Sequence, residues 1–214
     1  MVRAVIFDFD GTLTELSIDF SALRKRVEEI GLRYVPEALF RDLDHLYMLE
    51  MIYEVEQKLG PPGAIFRQEA FALLRDLEVE AAIGKTVYPY TREVLSTLRG
   101  KGVRIGVMTR NCPQAVRRVF PDLEEYVDAM VTREDVRLVK PHPEHLAALL
   151  DLLGIVDAKD TLLVGDHPTD ILAGKASGAT TVGVLTGRTD KADFEKVGAA
   201  FIIPDIRGVP ALVD

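Results

Sequence analysis

Short apolar runs recur along the chain, with helical stretches between them. Val2–Asp8, Val103–Thr109, Ala129–Thr132, Thr161–Gly165, Thr180–Val184 and Ala200–Ile203 read as strands. Several are nearly continuous in Val, Ile and Leu, as expected of strands covered by helices on both faces. Thr91–Leu98, Gln114–Phe120, Pro143–Leu153 and Thr169–Ser177 carry helical spacing. This alternation predicts an α/β fold on a doubly wound parallel sheet.

One connection breaks the rhythm. About ninety residues separate the first strand from the second, too many for one crossover helix. The pattern predicts a helix that follows Ser17 and ends at Gly31, a second from Pro36 to about Lys58, and a third over about Ala64–Ala82. Gly60-Pro61-Pro62-Gly63 and Gly84 punctuate them. Residues 15–84 are therefore expected to form an inserted α-helical cap, leaving 1–14 and 85–214 as the core. Leu39, Leu43, Leu46 and Tyr47, at helical spacing, are expected in the insert's own core.

Composition narrows the class. The chain has 214 residues, 48% of them hydrophobic and 28% charged, enough for a globular domain with a modest insert. Its net charge of −8, without a long Lys/Arg cluster, argues against a nucleic-acid partner. No apolar run is long enough to span a bilayer, and the N-terminus lacks a signal-peptide pattern. The single cysteine, Cys112, cannot form an intrachain disulfide and is expected to be a buried or incidental thiol. A soluble, cytoplasmic protein is expected, as a monomer or homodimer, with no membrane partner.

Ligands of open parallel sheets bind beyond the carboxyl ends of the strands. After the first strand come Asp8, Asp10 and Gly11; after the second, Thr109, Arg110 and Asn111. After the third, at a helix start, comes Lys140; after the fourth, Asp166 and Asp170. Asp8 and Asp10, two apart on a strand, point to one side and resist joint ionisation, which calls for a compensating cation. Asp8, Asp10 and Asp166 together offer hard oxygen donors suited to Mg²⁺. Thr109 and neighbouring backbone N–H groups could hold phosphoryl oxygens, and Lys140 would add positive charge. Asp8 could then serve as a nucleophile and Asp10 as an acid and base. Gly11 lets the chain turn away, while Thr12 and Thr14 are expected to satisfy loop backbone groups. His45, His142, His145 and His167 lack metal-ligand spacing with cysteine and are expected at the surface, His167 being flanked by site residues.

These motifs resemble those of the haloacid dehalogenase-like hydrolase superfamily, in particular phosphatases of the phosphoglycolate phosphatase type with a helical cap after the first strand. "DFDGTLT" matches that family's first motif, "VMTRN" the second, Lys140-Pro141 the third and "GDHPTD" the fourth. The resemblance implies Asp8 as nucleophile, Asp10 as general acid/base, and Mg²⁺ held by Asp8, the Asp10 carbonyl and Asp166. It implies Asp170 as support for the metal's surroundings and for Lys140, with the first and fourth strands side by side. Gly11, Thr109, Arg110, Asn111 and Lys140 would meet the substrate phosphate. Arg110 stands where many members carry a small or amide residue, and His167 where other polar residues are common.

The function expected is Mg²⁺-dependent hydrolysis of a small phosphomonoester metabolite through an aspartyl-phosphate. A phosphomutase uses the same core residues. A phosphonate hydrolase would need a cap lysine, for which Lys25 and Lys58 qualify by residue type alone; the other alternative is a metal-binding interaction module without catalysis. Substrate choice is expected in the cap, whose polar residues include Arg24, Arg41, His45, Tyr47, Glu50 and Arg67.

Overall fold

The computed structural model describes residues 1–16 and 18–213. Ser17, the residue expected to precede the first insert helix, lies outside the described residues. The chain divides into two compact units, Met1–Ser17 with Ala82–Asp214, and Ile18–Ala81.

The larger unit holds six strands: β1 (Ala4–Phe7), β2 (Arg104–Met108), β3 (Ala129–Val131), β4 (Thr161–Gly165), β5 (Thr180–Val184) and β6 (Phe201–Ile203). They form one parallel sheet in the order β3-β2-β1-β4-β5-β6. The order reverses direction between β1 and β4, which creates a crevice at their carboxyl ends. The central β1 is fully buried, and this explains its unbroken run Ala4-Val5-Ile6-Phe7: both of its faces meet helices.

On one face, Ala4, Ile6, Met108, Val131 and Leu163 pack with Leu146, Leu149, Leu150 and Leu153. Those four leucines lie on the helix Pro143–Leu153, and Ala173, from the helix Pro168–Ser177, joins the cluster. Gly106 of β2 permits the approach, since a Cβ there would meet Ile6 and Leu149. The helix Pro143–Leu153 begins where Pro143 needs no amide partner, and His142 caps it by accepting from Glu144 N–H. It ends as Gly154 turns left-handed at φ 66°. Another helix, Thr91–Gly100, buries Val94, Leu95 and Leu98 and packs against β2 and the 3₁₀ segment Ile206–Leu212.

The smaller unit contains four helices, labelled α1 (Phe20–Gly31), α2 (Glu37–Asp42), α3 (Met48–Leu59) and α4 (Gly63–Ala81). Asp19 caps α1, accepting from Ser21 and Ala22 N–H groups. The single helix expected from Pro36 to Lys58 is in fact two, α2 and α3, separated at Leu43–Tyr47. Arg24 explains why the break is tolerated: its guanidinium donates to the carbonyls of Leu43 (3.1 Å) and Leu46 (2.6 Å). The expected insert core also needs correction. Leu43 is buried, but Leu39 and Leu46 are half-buried and Tyr47 is exposed. Leu23, Val27, Phe40, Ile52, Val55, Phe66 and Leu74 fill the core instead.

Within the larger unit, the segments flanking the insert are bound to each other. Thr14 pairs with Val87, and its hydroxyl donates to the Thr86 carbonyl at 2.8 Å. The Leu13 carbonyl accepts from Tyr88 N–H (2.9 Å) and from the Thr91 hydroxyl (2.8 Å).

Candidate active site

The β1–β4 crevice collects the acids. Asp8 N–H donates to the Val164 carbonyl at 2.8 Å, which extends the β1–β4 pairing by one residue and fixes the Asp8 backbone on the sheet. Asp166 follows β4 directly, so the two carboxylates leave adjacent strand ends. The chain then turns tightly after β1. The Phe9 carbonyl accepts from the N–H groups of Thr12, Leu13 and Thr14, and Gly11 takes φ 83°. A side chain at Gly11 would be strained by that φ and would collide with the Asp166 carboxylate.

Lys140 lies at the centre, buried. Its Nζ is 2.5 Å from Asp8 Oδ1 and 2.7 Å from Asp170 Oδ1, and donates to the Met108 carbonyl at 3.2 Å. Burial disfavours the ammonium, but Asp170 and Asp8 outweigh it and hold its pKa above the ordinary value. Lys140, expected at a helix start, lies instead three residues before Pro143, in a loop with a cis Lys140–Pro141 bond.

Asp170, completely buried, accepts at its other oxygen from His167 N–H at 3.1 Å. The same contact closes the N-terminus of the helix Pro168–Ser177, with His167 as its cap. Burial raises the Asp170 pKa and Lys140 offsets part of that. Asp166 is pushed far above the usual carboxylate range, first by burial and then by the charges of Asp8 and Asp170. His167 is half-buried, and burial, then Lys140 and Arg110, lower its pKa to about 4.

Asp8, Asp166 and Asp170 each offer an oxygen within 4.8 Å of the others, all buried. This set differs from the expected Asp8, Asp10 and Asp166 in its carboxylates. The Asp10 carboxylate is instead held by Asn111, whose Nδ2 donates to Oδ2 at 2.9 Å. The donors fit a hard divalent cation: three crowded carboxylate oxygens, with Asp166 raised in pKa by burial and then by the other two. The Asp166 carboxylate also occupies a cradle of backbone, since a Cβ at Gly11 or Gly187 would run into it.

Thr109, buried after β2, accepts at its hydroxyl from Asn111 N–H (3.0 Å), which leaves the hydroxyl proton to donate elsewhere. The Asn111 amide spans the site: Nδ2 holds Asp10 and Oδ1 accepts from Cys112 N–H at 2.7 Å. Arg110 donates to the Lys140 carbonyl at 3.3 Å, bracing one loop against the other. Thr12 departs from its expected backbone role, its hydroxyl donating to Asp166 Oδ1 at 3.4 Å, whereas Thr14 binds the Thr86 carbonyl. His145, expected at the surface, is fully buried, whereas Cys112 is buried as expected.

Three further residues join the site. Arg133, buried after β3, donates to the Arg110 carbonyl at 3.0 Å. Thr186, after β5, donates its hydroxyl to the Gly11 carbonyl at 2.5 Å, and Gly187 packs on Asp166. The strand-end rule would have found them had it been carried to Arg133 beyond β3 and to the fifth strand.

The family profile of the haloacid dehalogenase-like hydrolases matches residues 2–178. The chain is 29% identical over 230 aligned positions to a phosphoglycolate phosphatase of Rhodospirillum rubrum, covering 96% of this chain and 88% of that one. It is 40% identical over 111 positions, 49% of this chain and 48% of the relative, to pyrophosphatase PpaX of Bacillus mycoides. A crystal structure of a hydrolase from Pseudomonas syringae shares the fold at TM-score 0.74 and 22% identity, covering 98% of this chain and 97% of that one. Among the described residues no helix is long and apolar enough to cross a membrane. The chain belongs to the haloacid dehalogenase-like hydrolase family and is, within it, a phosphatase-like enzyme.

Proposed function

We propose that this chain hydrolyses a small phosphomonoester through an acyl phosphate on Asp8. The observation that supports this most directly is a buried carboxylate at a strand end, 2.5 Å from the Lys140 ammonium, beside a second acid on the neighbouring strand. Lys140 pairs with Asp8, and Asp170 keeps Lys140 in place. In the first step an Asp8 oxygen bonds to phosphorus as the P–O bond to the leaving group breaks. Asp10 gives its proton to the departing oxygen. In the second, Asp10 takes a proton from water, whose oxygen attacks phosphorus and frees Asp8 and inorganic phosphate. Thr109 donates its hydroxyl proton to a phosphoryl oxygen throughout. Asp8, Asp166 and the Asp10 carbonyl would hold Mg²⁺, with Asp170 behind them. When bound, it supplies positive charge that lets two carboxylates and a phosphate share one site.

The ion requirement is directly testable. Hydrolysis of p-nitrophenyl phosphate is expected to vanish with EDTA and to return with excess Mg²⁺. Full activity in thoroughly chelated protein would contradict the scheme. Phosphoglycolate is the first substrate to try, because relatives named for it align with 96% and more of the chain. Sugar phosphates, nucleotides and pyrophosphate complete the panel, and inclusion of a sugar bisphosphate tests the phosphomutase alternative.

The insert is read as the selector of substrate. Several of its cations are already committed: Arg24 to carbonyls and Glu28, Arg41 to Glu37, and Arg67 to Glu56. His45 and Tyr47 are exposed. Their replacement by Ala is expected to re-order activity across the panel while p-nitrophenyl phosphate is still hydrolysed. An unchanged ranking would remove these two residues from selection.

A further inference from the structure

His145 is a completely buried imidazole for which the catalytic scheme has no use. Its Nδ1 lies 3.1 Å from the Lys140 backbone nitrogen and accepts that N–H. Its Nε2 lies 3.3 Å from the Val131 carbonyl, which can only accept, so Nε2 carries the ring proton. The same Val131 oxygen also accepts from Thr109 N–H at 3.0 Å. A carbonyl has two lone pairs, and both are engaged. One continuous chain of hydrogen bonds therefore runs from the Thr109 amide to the Val131 carbonyl, through the His145 ring, to the Lys140 amide. It joins the end of β2, the end of β3 and the loop that carries Lys140.

We infer that His145 is a positioning residue that locks Thr109 and Lys140, the two proposed phosphate-binding residues, into a fixed mutual geometry. The inference rests on the phosphatase reading for its catalytic consequence, while the hydrogen-bonded chain stands apart from it. Lys140 is in a loop, and a loop lysine alone would sample many positions. Its Nζ is fixed by Asp8, Asp170 and the Met108 carbonyl, but its backbone needs a separate anchor. The imidazole provides one from the rigid first turn of the helix Pro143–Leu153. A protonated ring would turn an N–H against the Lys140 N–H. Burial, followed by the Lys140 charge, opposes this and lowers the His145 pKa to about 3. Small displacements of positioned groups cost up to about a hundredfold in rate.

Three variants separate positioning from packing. His145→Asn offers an acceptor near the Nδ1 position, His145→Gln offers a donor near Nε2, and His145→Leu offers neither. The initial burst of p-nitrophenol, which reports phosphate transfer to Asp8, is expected to slow roughly 10- to 100-fold in the Leu and Gln variants. The Asn variant is expected to recover most of the loss, and Ki for inorganic phosphate to rise in the same order. Amide exchange at Lys140 reads the anchor without any activity: protection should fall in the Leu and Gln variants and persist in the Asn variant. In wild-type protein, ¹⁵N spectra should show the neutral Nε2–H form with no titration from about pH 5 to pH 8. An Nδ1–H ring, or Lys140 protection that is the same in all three variants, would overturn the inference even if one variant failed to fold. Burst rates that follow melting temperature rather than the Asn/Gln distinction would also overturn it. If wild-type protein hydrolyses nothing in the panel, the phosphatase reading fails, and the tautomer and exchange results still judge the anchor.

Discussion

Asp8→Asn is expected to abolish labelling of the protein by a phosphorylated substrate, whereas Asp10→Asn is expected to label and then stall. The difference follows from where each carboxylate is held. Asp8, the proposed nucleophile, is buried on the sheet, and its Oδ1 lies 2.5 Å from the Lys140 ammonium. An amide at that position cannot attack phosphorus. Asp10 is one step into the turn, half-buried, with one oxygen anchored by Asn111 Nδ2 at 2.9 Å. Its proposed metal contact is a backbone carbonyl, which Asp10→Asn preserves. Transfer from p-nitrophenyl phosphate, whose leaving group needs no proton, should therefore continue in the variant. The phosphate on Asp8 should persist, because the attacking water has lost its base. Loss of general acid/base help costs about 10²–10⁴ in rate. Rapid-quench kinetics followed by mass analysis of the trapped protein gives both readings. Normal turnover in Asp10→Asn, or phosphate on a residue other than Asp8, would reverse the assignment. Asn111→Ala should show a weaker form of the same stall, since it releases Asp10 while leaving the carboxylate in place.

Much of this site is legible in the sequence because it obeys a backbone rule. In a parallel sheet the polar residues after each buried strand must emerge at one edge, so Asp8, Thr109 and Asp166 can be grouped without knowing any distance. Asp170 is legible for a related reason: it falls in the first helical turn after β4, where the helix turns its side chain back to the strand end. Side-chain partnerships are another matter. Nothing in the spacing says that Asn111 turns toward Asp10 or that Thr12 turns toward Asp166, because those choices depend on loop rotamers. His145 was misjudged for a sharper reason. Histidine is commonly exposed, and its burial here depends on a carbonyl on β3 and an amide on the Lys140 loop, partners 14 and 5 residues away. The expected helix from Pro36 to Lys58 failed similarly. Its residues have adequate helical spacing, but the Arg24 guanidinium donates to the carbonyls exposed by the break.

Metal-free protein is expected to lose stability as pH rises from about 7 to 8, and Mg²⁺ is expected to abolish that loss. The sign comes from Asp166. Burial, Asp8 and Asp170 raise its folded-state pKa far enough for it to hold a proton at neutral pH, whereas in the unfolded chain it is ionised above the ordinary carboxylate range. The folded state therefore binds more protons than the unfolded state, so stability falls with rising pH. The limiting slope for one such group is about 1.4 kcal/mol per pH unit. Asp170, also raised, acts in the same direction at lower pH. His145 and His167 act oppositely: their folded-state pKa values are depressed, so below about 6.5 the unfolded chain gains protons that the folded chain refuses. That opposition is why the window must start at or above pH 7, where both imidazoles are neutral in the folded state and mostly neutral in the unfolded chain. Lys140 is raised from an already high value and does not titrate there. A divalent ion binds the ionised carboxylates and releases the proton, so saturating Mg²⁺ should flatten the profile and raise stability most at the alkaline end. Asp166→Asn should remove both the slope and most of the response to Mg²⁺. Urea denaturation at several pH values, with EDTA or with Mg²⁺, measures each of these. A metal-free stability that rises between pH 7 and 8 would contradict the raised Asp166 pKa, and a slope unchanged in Asp166→Asn would assign it to another group.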